Sequence, residues 1–194
     1  MNDIKPIETV YKGYRFRSRL EAKWAVFFDS LGIRWIYEPE GLYINGIYYL
    51  PDFYLPESKQ FFEVKGILSD IDMGKINALI NAGYSVTIGY DDGAFRACDD
   101  WGTIGDKNHE RELYELTNDY SLLCQCKTCG KYWFMGNAGI YTCQCCGEYD
   151  GDHHFVSVME CRIDDDGNVS EFSDTKLWDV ARRARFEHGE TPQI

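Results

Sequence analysis

Residues 50–66 read LPDFYLPESKQFFEVKG, and the fold turns on how that stretch is parsed. It carries the pair Pro51-Asp52 and, eleven residues beyond the Asp, the triplet Glu63-Val64-Lys65. Residues 47–55 are rich in Tyr, Phe and Ile, and residues 60–65 run Gln-Phe-Phe-Glu-Val-Lys; both compositions favour strands. Pro56-Glu57-Ser58-Lys59 supplies a turn between them, so the two strands are expected to pair as a hairpin. Side chains alternate along a strand, which puts Glu63 and Lys65 on one face and turns Val64 into the core. A register that sets Asp52 beside Glu63 gathers two carboxylates and an ammonium on that face. Such a cluster is costly unless something uses it, and a divalent cation such as Mg²⁺, which takes hard oxygen ligands, is the obvious user.

Working outward, the N-terminal side supplies a short strand within 11–16 and then a helix. Ser18 is placed as an N-cap, Leu20, Trp24, Phe27, Phe28 and Leu31 recur at helical spacing, and Gly32 ends the run. Residues 34–38 are a strand candidate, and strands at 42–44 and 47–53 flank an Asn45-Gly46 turn. Beyond the central hairpin, residues 69–82 read as a helix with Ile71, Ile76, Leu79 and Ile80 on its apolar side, followed by a strand at 85–90. Residues 91–105 read as a Gly- and Asp-rich loop and 110–116 as a short helix. The run Asp164-Asp165-Asp166-Gly167-Asn168 is a hairpin turn, lacking the alternating ligand spacing of a calcium-binding loop. Residues 174–188 close the chain as a helix carrying Leu177, Trp178, Ala181, Ala184 and Phe186. The expected class is α/β (α+β), a sandwich of helices on a mixed sheet.

The Asp52, Glu63-x-Lys65 pattern, the segment Tyr14-Arg15-Phe16-Arg17-Ser18-Arg19-Leu20-Glu21, the Tyr37-Glu38-Pro39 triplet and Leu50-Pro51-Asp52-Phe53 resemble PD-(D/E)xK nucleases, and phage-encoded endonucleases among them. The resemblance covers roughly the first half of the chain, to about Tyr90. It implies a restriction-endonuclease-like αβββαβ core and Mg²⁺- (or Mn²⁺-) dependent hydrolysis of DNA phosphodiesters, leaving a 5′-phosphate. On the matching positions it implies that Asp52 and Glu63 hold the ion with the backbone carbonyl of Val64. Lys65 would orient the attacking water or stabilise charge on the phosphate. Glu21 has two readings: Ser18-x-x-Glu21 is a capping box, and the resemblance implies that a first-helix Glu completes the acidic cluster, which is the reading favoured here. Glu38 and Glu40 are acidic neighbours without an assigned role. Some members of the superfamily resolve branched DNA and act as dimers, so branched DNA and a homodimer are partners to consider, although nothing in the sequence marks a dimer surface.

Charge tempers this reading. The net charge is −12, whereas nucleic-acid-binding proteins ordinarily carry a basic footprint. The imbalance is local: residues 1–66 hold nine Lys/Arg and nine Asp/Glu, residues 67–123 four against eleven, and residues 124–194 seven against twelve. Arg15, Arg17, Arg19 and Lys23 lie close together in the least acidic part of the chain and are the expected DNA-binding track, with a solvated salt-bridging role the equal alternative for Arg17 and Arg19. The alternative reading is a non-catalytic protein of the same fold, an acidic DNA mimic acting on a host enzyme. The intact set of Asp52, Glu63 and Lys65 argues against it, because a mimic has no use for an ammonium among its carboxylates.

The cysteines carry a second signal. Of eight, six fall within 124–146, and no export signal or membrane-length apolar run accompanies them. Metal binding in a cytoplasmic protein is thus expected rather than disulfides. Cys126-Lys-Thr-Cys129-Gly and Cys143-Gln-Cys-Cys146-Gly are two CxxCG knuckles with thirteen residues between Cys129 and Cys143, the spacing of a zinc ribbon holding a structural Zn²⁺. Cys124 and Cys145 are alternative thiols nearby, and the His153-His154 pair follows. Cys98 and Cys161 are read as plain thiols. The ribbon's Lys127, Lys131, Tyr132 and Trp133 are available to DNA or a partner. The expected division is an endonuclease-like domain at 1–120, the ribbon at 121–162 and a hairpin and helix at 163–194.

Overall fold

The computed structural model describes residues 6–44, 46–98, 120–136, 142–149, 154–163, 169–172 and 176–186. The helix expected at 110–116 and the acidic turn at 164–168 lie outside them. The fold is mixed α+β, with a mixed central sheet and three helices among the described residues. None of these helices is long and apolar enough to cross a membrane.

The chain opens with a hairpin of β1 (Thr9–Tyr11) and β2 (Tyr14–Phe16), so the expected single strand at 11–16 is two. Helix α1 (Arg19–Ser30) follows, with Ser18 as N-cap accepting from the Glu21 backbone N–H. Its Trp24, Phe27 and Phe28 are fully buried. The central sheet runs β3 (Ile36–Tyr37), β6 (Phe53–Leu55), β7 (Gln60–Val64), β8 (Ser85–Gly89) and β9 (Phe95–Cys98), in that spatial order. β7 and β8 are parallel and the other neighbours antiparallel. Helix α2 (Asp70–Asn81) is the crossover between β7 and β8, as a parallel pair requires. Its N-terminus carries a complete capping box between Ser69 and Asp72.

Several expectations need correction. The strand anticipated over 47–53 is broken: β5 (Ile47–Tyr49) pairs only with β4 (Leu42–Ile44) in a separate hairpin. Leu50-Pro51-Asp52 then carries the chain into β6, and Pro, which lacks an N–H, suits such a break. The strand expected over 34–38 shrinks to Ile36–Tyr37. The stretch read as a loop from residue 91 contains β9, the edge of the central sheet. Ile71, expected on the apolar side of α2, is exposed, whereas Ile76 and Leu79 are buried.

A second sheet follows: β11 (Tyr132–Gly136), β10 (Tyr120–Cys126), β12 (Phe155–Ile163) and β13 (Val169–Phe172), all antiparallel. Helix α3 (Lys176–Arg183) then packs on α1, with Trp178 4.6 Å from Trp24, ring centre to ring centre. Tyr120, where a boundary is expected, is the first residue of β10, and the apolar core continues across it. Trp24, Phe28, Phe53 and Phe62 share one cluster with Leu123, Phe134, Met159 and Trp178. Gln60 stitches the two sheets together, its amide donating to the Phe134 carbonyl at 2.6 Å and accepting from the Phe134 N–H at 3.4 Å. The other face of the central sheet packs Phe61, Val86 and Ile88 against Ile76 and Leu79 of α2.

Candidate active site and metal centre

The β6–β7 register pairs Phe53 with Phe62 and Leu55 with Gln60. Extending it by one residue sets Asp52 opposite Glu63, as the hairpin reading requires. Phe62 and Val64 face the α1 side, so Glu63, between them, faces the α2 side. Both carboxylates are buried, Asp52 at 4% exposure and Glu63 at 2%, and their lone pairs are partly used. The Asp52 N–H donates to Glu63 Oε1 at 3.1 Å, and the Val64 N–H donates to Asp52 Oδ2 at 2.8 Å. Lys65 continues the strand, its N–H donating to the Gly89 carbonyl at 2.9 Å. Its ammonium lies 3.4 Å from Glu63 Oε2 and 3.4 Å from Asp72 Oδ1.

These residues line an open cleft of about 250 Å³ with Arg17, Tyr48, Tyr49, Lys75 and Ile76. Burial and then the neighbouring Glu63 charge push the Asp52 carboxyl up to about 7, against the pull of Lys65 and the Val64 N–H. Burial works against the Lys65 ammonium, yet Asp52, Glu63 and Asp72 outweigh it and hold the group more firmly protonated than usual. Burial, the Glu63 charge and a hydrogen bond to Glu63 also raise the Tyr49 phenol. The site thus has buried oxygen donors that repel one another and an opening to solvent. That donor chemistry fits a hard divalent cation.

Glu21 is buried at the start of α1, on the opposite layer from α2. Ser18 Oγ donates to it at 2.7 Å, the Tyr37 hydroxyl at 2.6 Å and the Arg17 N–H at 3.2 Å. The capping contact and a place at the edge of the acidic site therefore coexist. Arg17 stands between, its guanidinium 2.7 Å from Asp52 Oδ1 and 2.8 Å from Glu38 Oε1. Glu38 reaches it from a left-handed backbone, φ 42°. Glu21, Asp52 and Glu63 do not close into a group of three at metal-ligand spacing; among the described residues only four cysteines do.

Of the track Arg15, Arg17, Arg19 and Lys23, Arg17 is engaged inside the site and Arg15 faces Glu8 at 3.7 Å. Three contributors were missed by sequence reasoning. Tyr37 was quoted only as part of a motif, Asp72 is legible only as a capping residue, and Tyr49 reads as an ordinary strand aromatic.

The four cysteines are those of the knuckles. Cys126, Cys129, Cys143 and Cys146 bring their sulfurs within 4.8 Å of one another. The Cys126–Cys146 and Cys129–Cys143 separations are 3.7 and 3.6 Å. Four thiolates about 2.3 Å from a tetrahedral zinc stand about 3.8 Å apart, so the group can hold a metal such as zinc. Gly130 and Gly147 (φ 71° and 80°) let each knuckle turn, with the Gly130 N–H donating to the Cys126 carbonyl and the Gly147 N–H to that of Cys143. Burial raises the Cys126 thiol, but the N–H groups of Cys129 and Thr128 outweigh it and bring it down to about 7. Cys145 instead donates to the Glu57 carbonyl at 3.2 Å. His154 Nδ1 lies 2.7 Å from the Tyr149 carbonyl oxygen, and His153 lies outside the described residues. Cys98, Cys124 and Cys161 are buried thiols.

The chain matches no family model, no curated protein and no solved structure.

Proposed function

We propose that this protein is a metal-dependent DNA endonuclease of the PD-(D/E)xK kind. The observation that carries the reading is the meeting of Asp52 and Glu63, buried carboxylates beside Lys65 in an open cleft. The order α1, β3, β6, β7, α2, β8, with a parallel β7–β8 pair, agrees with the αβββαβ core that the motif implies.

Asp52 and Glu63 would hold the ion, with the Val64 carbonyl as the motif implies. When bound, a divalent cation such as Mg²⁺ neutralises charge on the scissile phosphate and makes water more acidic. Hydrolysis adds a water oxygen to phosphorus and breaks the P–O3′ bond, leaving a 5′-phosphate and a 3′-hydroxyl. Lys65, kept protonated by its acidic neighbours, suits stabilising charge on the phosphate oxygens rather than accepting a proton. Arg17 would turn from Asp52 toward substrate once a cation takes its place. Glu21, held by Ser18 and Tyr37, supplies a third carboxylate at the edge of the site. The four-cysteine site is the closed, structural kind, for which zinc is the fitting ion.

The test is cleavage of plasmid and oligonucleotide DNA with Mg²⁺ or Mn²⁺, comparing the parent with Asp52→Asn and Glu63→Gln. Loss in both variants, with products bearing 5′-phosphates, supports the assignment; cutting at the parental rate overturns it. Tight association with a basic protein and no DNA binding at low salt would favour the acidic mimic suggested by the net charge of −12.

A further inference from the structure

The β4–β5 hairpin stands beside the candidate site, to which it contributes Tyr49 from its inner face and Tyr48 at the cleft. Residues 41–50, GLYINGIYYL, contain no charged side chain in a chain whose net charge is −12. The register pairs Leu42 with Tyr49, Tyr43 with Tyr48 and Ile44 with Ile47. Alternation divides the hairpin. Leu42, Ile44 and Tyr49 pack toward the α2 core, whereas Tyr43 and Tyr48 turn outward, 76% and 63% exposed. Tyr48 also lines the cleft of Asp52, Glu63 and Lys65, so the aromatic patch is continuous with the site. Its ring lies over Gly41, where any Cβ would collide with it. That position therefore suits glycine for the sake of the tyrosine above it.

What covers this patch follows from charge. The net charge is −12, and among the described residues near the site Arg17 is held by Asp52 and Glu38 and Arg15 faces Glu8. An intact duplex presents mostly phosphate to such a surface, and each contact it lacks is affinity forgone. Unstacked bases present aromatic faces instead, and stacking on tyrosine contributes about 1–3 kcal/mol per base with little dependence on sequence. An uncharged hairpin bearing two outward tyrosines adds no charge repulsion against a DNA strand beside the site.

We infer that Tyr43 and Tyr48 form a stacking platform for unpaired DNA bases, and that the preferred substrate presents single-stranded nucleotides next to the scissile phosphate. A flap, a splayed end or a branch has that form. The cleavage half of this inference rests on the nuclease reading; the binding half stands on the hairpin alone.

The test uses three fluorescein-labelled DNAs of equal length: a duplex, a single strand and a splayed duplex with 2-aminopurine at its fork. Binding is read by anisotropy and 2-aminopurine quenching in Ca²⁺, and cleavage in Mg²⁺ or Mn²⁺. The full-length protein should prefer the splayed and single-stranded forms and quench the 2-aminopurine. Tyr43→Ala should weaken binding to them about 5- to 150-fold, lose the quench and leave the salt slope unchanged, while Tyr43→Phe and Tyr48→Phe retain both. Tyr43 is the safer truncation because Tyr48 also rests on Gly41, and a thermal melt of each variant checks the fold. Parental binding by Tyr43→Ala and by the Tyr43→Ala/Tyr48→Ala pair, or an equal loss on duplex, overturns the platform. Cleavage with no tyrosine dependence sinks the platform and leaves the nuclease reading standing. Tyrosine-dependent binding without cleavage of any DNA does the reverse, and neither binding nor cleavage defeats both.

Discussion

Asp52 and Glu63 face each other almost out of reach of water, and the pair is at ease only when one carries a proton or a cation lies between them. In the folded protein the Asp52 carboxyl is raised from 3.8 to about 7. The native state therefore keeps a proton that the unfolded chain has already released. Stability of the protein without added Mg²⁺ should fall as pH climbs from about 4 to about 7, since the folded form binds more protons across that window. Asp52→Asn removes the titration while leaving an oxygen to accept the Val64 N–H. The variant should be more stable than the parent by about 1–3 kcal/mol at pH 8, with no difference near pH 4, and should not cut DNA. Urea titrations across that range check the claim; parallel stability profiles would assign the repulsion elsewhere.

At the scale of elements, the β6–β7 hairpin joins the two halves of the molecule. Its open end carries Asp52 and Glu63, and its turn rests against the cysteine knuckles. Lys131 lies 3.5 Å from Glu57, Lys59 3.3 Å from Gln144, and Cys145 donates to the Glu57 carbonyl. Between the two ends, Gln60 acts as a substitute strand partner for Phe134 and also donates to Ser85 Oγ at 3.2 Å. A Gln60→Leu exchange keeps the volume but leaves buried backbone groups of Phe134 unpaired. We expect it to cost about 2–4 kcal/mol, measured as a lower denaturation midpoint with the same slope. A neutral result would mean that the sheets are held by their shared apolar core alone.

For the whole molecule, that shared core makes the cysteine centre a property of the entire fold. Elemental analysis should find one zinc per chain. Cys126→Ser should lower the thermal midpoint of a single cooperative transition, because Leu123, Phe134 and Met159 are buried with Trp24 and Phe62. Two separate transitions would instead mark the ribbon as an independent module. Loss of zinc should also reduce DNA cleavage, through the hairpin turn that the knuckles support. Charge adds a further expectation at this scale. With a net charge of −12, DNA binding in Ca²⁺ should show a log–log salt slope of only about −3 to −5, and a much steeper dependence would point to a basic surface outside the described residues.

Much of this was readable in one dimension. Ser18 as a cap, the spacing of Trp24, Phe27 and Phe28, the turn after Leu55 and the two CxxCG knuckles are local signals. Each depends on backbone chemistry within a few residues, so neighbours in sequence suffice to specify it. Other features had to wait for the fold. Whether 47–53 was one strand or two, whether 95–98 formed a strand and whether Ile71 was covered depended on partners far along the chain. For Arg17 the sequence left DNA contact and salt bridging equally open, and only the fold shows that its carboxylate partners are Asp52 and Glu38. Asp72 closes the capping box of α2 and is also a partner of Lys65, a pairing that no local pattern marks. Capping, periodicity and turns act along the chain, whereas burial and charge pairing act through space, and only the folded backbone sets those distances.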